Sequence, residues 1–410
     1  MENYPIGLSL EEALDCVLRH CAPLDCESVS LEAADGRVLA EDIAAQESIP
    51  PFPRSPYDGY ALRAADTLGS SREHGVVLRI VEEIPAGHAP HKRLAQGQAA
   101  KILTGAPIPE GADAVVKFED TDFTEETVTV FAPCRSGENI VPAGEDIRAD
   151  EVVMKKGTVL DAALLGLLAG LGRTAVSVTK EPRVALFSTG DELVAADAPL
   201  TPGKIRNSSI YTLSSLVRRC GGRPERGGIV PDQAQAVAQA LVCAAASADL
   251  VLTTGGVSVG DYDMLRRGLE EMGAEILLWK MRIKPGAAFV AAVCHGTLVL
   301  SLSGNPSAAA VAFMLLGIPV LRRMEGRSDV MLKRISVRLG RDFPKKSPSR
   351  RFLPGRLDIL EDGSACLLQA ERQGNGMLHP LQGCTLLGEL PAGSPPVKAG
   401  SVITAYQLFT

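Results

Sequence analysis

The chain has no excess of positive charge. Its 410 residues carry 42 Lys and Arg against 49 Asp and Glu, a formal net charge of −7. That balance excludes nonspecific gripping of nucleic acid, which needs clustered cations. Long apolar runs are missing as well. The longest uncharged apolar stretches, 162–172 and 308–321, fall short of the about 20 residues that span a bilayer. No membrane segment is expected. The first residues, Met1-Glu2-Asn3-Tyr4, show no basic or apolar leader, so a cytoplasmic protein is expected. The nine cysteines lack metal spacing: Cys16, Cys21 and Cys26 stand five apart, and there is no CxxC. They read as reduced cytosolic thiols. There is no GxxxxGK[ST], which excludes a P-loop, and no GxGxxG after a strand, which weakens a dinucleotide reading. No nucleophilic triad is legible, because His295 and His379 have no acid or nucleophile motif beside them.

What is present fits a folded protein. Hydrophobic residues make up 46% and charged residues 22%, and the length allows two to four domains of about 150 residues. Residues 7–21 read as a helix, with a Ser9/Glu12 capping box and Leu10, Leu14, Val17 and Cys21 on one face. Prolines 50, 51, 53 and 56 forbid a helix and stiffen the loop that delivers Asp58-Gly59. That dipeptide can equally be an ordinary turn. Residues 59–145 read as all-β, and within them Thr104-Gly105 tips a second proline-held loop, a presented surface or a plain barrel turn. A Gly-containing apolar helix over 161–172 follows, capped by Asp161.

Residues 180–325 alternate strand and helix, which predicts a doubly wound α/β domain. Its strands are expected at 183–188, 225–230, 250–254, 275–279, 288–293 and 297–302. Its helices are expected at 208–220, 232–247, 261–272 and 307–321, the last capped by Ser307. Residues 328–410 return to short strands. Three of the α/β strands end in small, donor-rich turns: Ser188-Thr189-Gly190, Gly255-Gly256 running to Ser258, and Gly304-Asn305-Pro306. Ligands of open α/β sheets sit outside the carboxyl ends of the strands. Free N–H groups and positive helix ends there suit phosphate or another oxyanion. One shared pocket is therefore expected.

The charged residues near these turns give the pocket a chemistry. Asp191, Glu192, Asp232, Asp261 and Asp263 fall at strand ends or helix starts, and Lys280, Arg282 and Lys284 lie at alternate positions of a strand. A helix-start Asp such as Asp232 is also a common cap. As a set, lysines neutralise an anion while carboxylates hold Mg²⁺, a hard cation that takes oxygen ligands. Such an ion polarises a phosphoryl oxygen and activates water for anhydride cleavage.

Across nearly its whole length the chain resembles the molybdopterin molybdenumtransferases, the MoeA-type proteins related to the gephyrin E domain. The residues that carry this are Pro-Pro-Phe with Ser55 and Asp58-Gly59-Tyr60-Ala61, Thr104-Gly105-Ala106-Pro107, Gly111-Ala112-Asp113 and Gly144-Glu145-Asp146-Ile147. They continue with Ser188-Thr189-Gly190-Asp191-Glu192-Leu193, Gly255-Gly256-Val257-Ser258-Val259-Gly260, Lys284-Pro285-Gly286 and Gly304-Asn305-Pro306.

The resemblance implies an elongated linker and dimerisation domain (1–45 and 146–178), an inserted β domain (46–145), an α/β molybdopterin-binding domain (179–327) and a C-terminal β-barrel (328–410). It implies insertion of molybdate into adenylylated molybdopterin with release of AMP and help from Mg²⁺. It also implies a homodimer with shared active sites, and contacts with the upstream adenylyltransferase and with apo-molybdoenzymes. Matching positions assign catalysis to Asp58, Thr104 and Asp146 across the interface and to Glu192, Asp232 and Asp263 in the α/β pocket. Asp191, Glu192 and Asp232 would hold the metal. Ser188, Thr189, Gly190, Gly255, Gly256, Ser258, Lys280, Lys284, Gly304, Asn305 and Pro306 would bind the pterin substrate. The chain departs from the family pattern at Tyr57, at Asn207-Ser208-Ser209 where Asp-Ser-Asn is usual, at Ala287-Ala288 where Lys-Pro is usual, and at Ser303 for a Pro. The alternative expectation is a weakened paralogue that binds or scaffolds the pterin, or an insertase that prefers tungstate. An adenylyltransferase would need only the α/β domain and leaves the flanking β domains without a purpose.

Overall fold

The structure is a computed structural model that describes residues 4–257 and 262–409, with the backbone alone for 262–264. The chain divides into two compact units. One comprises Met1–Glu41, Lys156–Asp161 and Ala175–Thr410, the other Asp42–Lys155 and Ala162–Thr174.

The larger unit is built on a seven-stranded sheet. From edge to edge its strands are Ile6–Leu8, Glu275–Met281, Phe289–Cys294, Thr297–Leu302, Leu250–Thr254, Arg183–Thr189 and Arg223–Val230. Only Phe289–Cys294 runs against its neighbours. The inner strands Arg183–Thr189, Leu250–Thr254 and Thr297–Leu302 are apolar on both faces because both faces are covered. Leu186, Leu252 and Leu300 point into one core with helices Leu10–Leu18, Ser209–Arg219 and Pro306–Ala312. Phe187, Val251 and Val299, one residue along, point into a second core under helices Ala234–Ser247 and Tyr262–Glu271. Period-two alternation thus feeds two cores from one run of residues.

The first helix differs from its expected bounds. The Ser9/Glu12 capping box is formed, but the helix covers only Leu10–Leu18. Ile6–Leu8 instead adds a parallel edge strand beside Trp279 and Met281. Three residues carry too little pattern to reveal a strand, and the pairing partner lies far along the chain. The last α/β helix also differs. It runs from Pro306 to Met324, with a π-helical turn at Phe313–Gly317 just before Pro319. Proline has no N–H for the carbonyl of Leu315, so the ladder widens there. By length and composition this helix is apolar enough to cross a membrane, yet 94% of its apolar window is buried inside the protein. It is a core helix. Ser307 does not cap it. Asn305 holds the N-cap position, and Ser307 is buried inside the helix.

The C-terminal strands Lys333–Leu339, Arg350–Ile359, Ala365–Gln369, Leu386–Leu390 and Val402–Gln407 close into a five-stranded barrel. Closure removes exposed sheet edges. Arg350 ties the barrel to the first helix. Its guanidinium donates to Glu11 Oε2 at 2.6 Å, Glu389 Oε1 at 2.8 Å and the Tyr406 hydroxyl at 2.8 Å.

The smaller unit holds a six-stranded sheet ordered Ala114–Lys117, Gly59–Leu62, Gln98–Ile102, Val76–Ile84, Thr127–Val130 and Thr121–Phe123. Its two proline-held loops are laced together. Ser55 N–H donates to the Ala106 carbonyl at 3.0 Å and Gly105 N–H to the Ser55 carbonyl at 2.8 Å.

Candidate functional site

Three parallel strands end side by side at Thr189, Thr254 and Leu302. Beyond them lies a cavity of about 590 Å³. Thr189, Gly190, Gly255, Gly256, Gly304, Asn305 and Pro306 all line it, together with Glu192 and Asp232. The turns expected to share one pocket do share it. Gly255 is positioned by necessity: its φ is +94°, and a Cβ there would stand 2.1 Å from the Thr189 carbonyl oxygen. Only glycine lets the two sheet ends meet.

Several expected anion donors are already engaged. Gly255 N–H donates to the Leu302 carbonyl at 3.2 Å. At the start of the Pro306–Met324 helix, Pro306 has no N–H, and the next two donors, Ser307 N–H and Ala308 N–H, reach the Asn375 carbonyl at 3.1 and 3.2 Å. The barrel region therefore caps this helix, and a ligand's anion must find other donors. Ser188 also sits behind the wall. Its hydroxyl is buried, 2.8 Å from the Thr254 hydroxyl and 3.2 Å from Asn207 Oδ1. Asn207 Oδ1 also accepts the Ile210 N–H at 3.4 Å, joining the strand end to the next helix.

The carboxylates divide. Glu192 and Asp232 line the cavity. Asp191 does not, and its carboxylate instead accepts the Asp232 N–H at 3.3 Å. Among the described residues no three His, Cys, Asp or Glu side chains converge as a metal cage. The Glu192/Asp232 pair still fits Mg²⁺, which takes one or two carboxylates and fills the rest of its octahedron with water and substrate phosphate. Asp261 and Ser258 lie outside the described residues, as does the side chain of Asp263.

The cations are arranged differently from the expectation. Arg206 lines the cavity. Lys284 lines a neighbouring cavity of about 720 Å³, with Arg282 and Arg350. The two cavities share Ala288, Ser303 and Asn305 as walls. Lys280 lines neither, and sits on its strand with a left-handed φ of 64°. The available signal for Arg206 was its place at the end of the short strand Ile205–Arg206, next to a helix start. Asn375 carried no local signal at all.

In the smaller unit Asp58 Oδ1 accepts both the Thr104 N–H at 2.7 Å and the Thr104 hydroxyl at 2.8 Å. These bonds, the backbone one foremost, hold its carboxyl below the usual range. Asp58 is therefore an exposed, firmly ionised acceptor on a rigid loop. Replacing Thr104 by Val removes one of the two donors. The Asp58 titration, followed by NMR, should then move up toward the ordinary carboxylate range, and an unmoved titration would refute this coupling. Asp146 is exposed in the same unit, its N–H donating to the Ile49 carbonyl at 3.0 Å.

Comparison with known proteins places this arrangement. Family models match the MoeA N-terminal region (domains I and II) at residues 8–172, a probable molybdopterin binding domain at 185–323 and the MoeA C-terminal region (domain IV) at 336–408. A Staphylococcus aureus protein named molybdopterin molybdenumtransferase is 34% identical over 396 residues, covering 97% of this chain and 94% of that protein. The chain belongs to the molybdopterin molybdenumtransferase family. A Staphylococcus epidermidis relative of the same name is 33% identical over the same coverage. The crystal structure of the molybdopterin biosynthesis MoeA protein from Pyrococcus horikoshii OT3 superposes with a TM-score of 0.84 at 31% identity, covering 98% of this chain and all of that one. Within this family's fold, the Asn207 and Ser303 departures fall beside the cavity. Ser303 lines it, and its hydroxyl accepts the Asn305 N–H at 3.2 Å, keeping the turn closed where a proline would fix it covalently.

Proposed function

We propose that this protein is a molybdopterin molybdenumtransferase that acts late in molybdenum cofactor assembly, inserting molybdate into adenylylated molybdopterin and releasing AMP. The observation that carries this reading is the single cavity in which Thr189-Gly190, Gly255-Gly256 and Gly304-Asn305 meet, with Glu192, Asp232 and Arg206 in its walls. Its size suits a pterin or a phosphate ester rather than a macromolecule. Arg206 offers a planar pair of donors to a phosphate. The adjoining cavity with Lys284, Arg282 and Arg350 gives the long adenylylated substrate a second charged wall. Glu192 and Asp232 are the residues that would hold Mg²⁺, and the ion would supply Lewis acidity at the phosphoryl group.

The Asp58–Thr104 loop pair then acts in a homodimer, one copy completing the cavity of the other. Asp146 contributes on the same side. Two further contacts extend the proposal: delivery of substrate by the upstream adenylyltransferase, and hand-over of product to apo-molybdoenzymes. The decisive assay mixes purified protein with adenylylated molybdopterin, molybdate and Mg²⁺. It follows AMP together with reconstitution of a cofactor-free molybdoenzyme. Stoichiometric AMP and active molybdoenzyme are expected. Tight pterin binding without AMP would instead support the scaffold reading. Repeating the assay with tungstate in place of molybdate sets the metal preference. For sharing between copies, Asp58→Ala and Glu192→Ala proteins should each be nearly inactive alone. After verified subunit exchange the mixture should recover roughly a quarter of wild-type activity, because one site in four is intact. No recovery contradicts a shared site.

A further inference from the structure

A third cavity, of about 300 Å³, lies at the far end of helix Ser209–Arg219 from the sheet-end cavity. Ser208, before the helix, lines the sheet-end cavity, whereas Arg218, Arg219 and Gly221, at and beyond its end, line this one. Eleven residues separate the two by roughly 16 Å along the helix axis. Glu325, the C-cap of the Ile318–Met324 helix, lines this third cavity and is only 7% exposed. Its carboxylate occupies the space that a side chain at position 221 would fill, since a Cβ on Gly221 would stand 1.8 Å from Glu325 Oε1. Among the described residues nothing hydrogen-bonds or ion-pairs with that carboxylate.

The nearby charges explain why it stays unpaired. On its own segment, Arg327 is committed to Asp329 through two bonds of 2.8 and 2.9 Å, and Arg322 to the carbonyls of Asp329 and Met331. From the 35–38 loop, Arg37 is held by Glu27 and donates to the Thr179 carbonyl at 2.9 Å, with Asp35 beside it. From the segment after Thr179, Lys180 lies 3.6 Å from Asp25, and Glu181 adds a negative charge. From the helix end, Arg219 stacks 3.7 Å over the Phe409 ring. Arg218 makes no ion pair among the described residues. Cys220, with its thiol pushed up to about 12, stays neutral. An isolated buried carboxylate is costly unless something meets it. Exposed cations at the mouth and an acceptor at the floor favour an anion that carries its own proton.

We propose that this cavity is a binding site for hydrogen phosphate, whose P–OH donates to the Glu325 carboxylate while Arg218 and Lys180 neutralise its charge. Sulfate has the same shape and charge but no proton at neutral pH, so it meets an ionised Glu325 with repulsion. Burial, the largest cause, pushes the Glu325 carboxyl up to about 7 against the opposing pull of Arg327 and Arg322. Below that value Glu325 is itself a donor and accepts either anion; above it, only the anion with a proton fits. This site is independent of the reaction assigned to the sheet-end cavity.

The test is calorimetric titration of the full chain with inorganic phosphate and with sulfate at pH 6 and pH 8. Phosphate should bind about tenfold more tightly than sulfate at pH 8, and the two should converge at pH 6. Glu325→Gln presents an amide donor at any pH, so sulfate should bind this variant equally well at both. Arg218→Ala, a surface change, should weaken both anions about fivefold without altering the pH pattern. A phosphate bound in the sheet-end cavity would not respond to Glu325→Gln. Equal affinities for the two anions at pH 8, no binding heat, or isotherms unchanged in both variants would overturn the proposal.

Discussion

Gly255→Ala is expected to cost roughly 3 kcal/mol of stability and to remove measurable AMP release. The cause is backbone against backbone. At φ +94° an alanine is strained wherever it sits, and here its Cβ would also stand 2.1 Å from the Thr189 carbonyl oxygen and 2.7 Å from Thr189 Oγ1. Neither neighbour is a flexible side-chain end that can swing aside. Relief requires the strand ends at Thr189 and Thr254 to part, and their separation is what shapes the cavity floor. Thermal unfolding together with the AMP assay checks both halves. Wild-type stability and turnover would show that the two turns are not in the contact described.

Glu192→Ala and Asp232→Ala should each lower turnover by about 100-fold or more, equivalent to roughly 2.7 kcal/mol of lost transition-state stabilisation. Both side chains line the cavity in which the proposed Mg²⁺ and substrate phosphate would sit. Asp191→Ala is the informative comparison. Its carboxylate holds the Asp232 N–H instead of facing the cavity. Its loss should therefore cost about tenfold at most, through misplacement of Asp232. Each variant should keep the wild-type hydrodynamic size and unfolding midpoint. An Asp191 effect as large as that of Glu192 would reverse the assignment of which carboxylates reach the metal.

What could be read from the sequence was short-range. The Ser9/Glu12 capping box, the strands at 183–188 and 250–254 and the glycine turns beyond them are written in four to eight adjacent residues. The structure contains each of them. Even the convergence of the three turns followed, because parallel strands of one sheet end on one side. Long-range choices stayed hidden. The Asn375 carbonyl that takes Ser307 and Ala308 N–H comes from about seventy residues away, and no local rule announces it. The same holds for Ile6–Leu8 joining the sheet edge and for Arg350 reaching Glu11. The placement of Lys280 also depended on backbone geometry that the sequence does not announce. Alternate positions on a strand do share a face, but Lys280 takes a left-handed backbone, which breaks the alternation that was to align it with Lys284. Arg206 lines the cavity instead.

Turns at three adjoining strand ends are proposed to grip one substrate. The most direct measurement is a crystal structure of the protein with adenylylated molybdopterin at a pH and Mg²⁺ level that block turnover. The ligand should lie against Gly190, Gly255 and Gly304, with its phosphates near Arg206 and between Glu192 and Asp232. A well-ordered substrate elsewhere on the molecule, leaving those three turns uncovered, would contradict it.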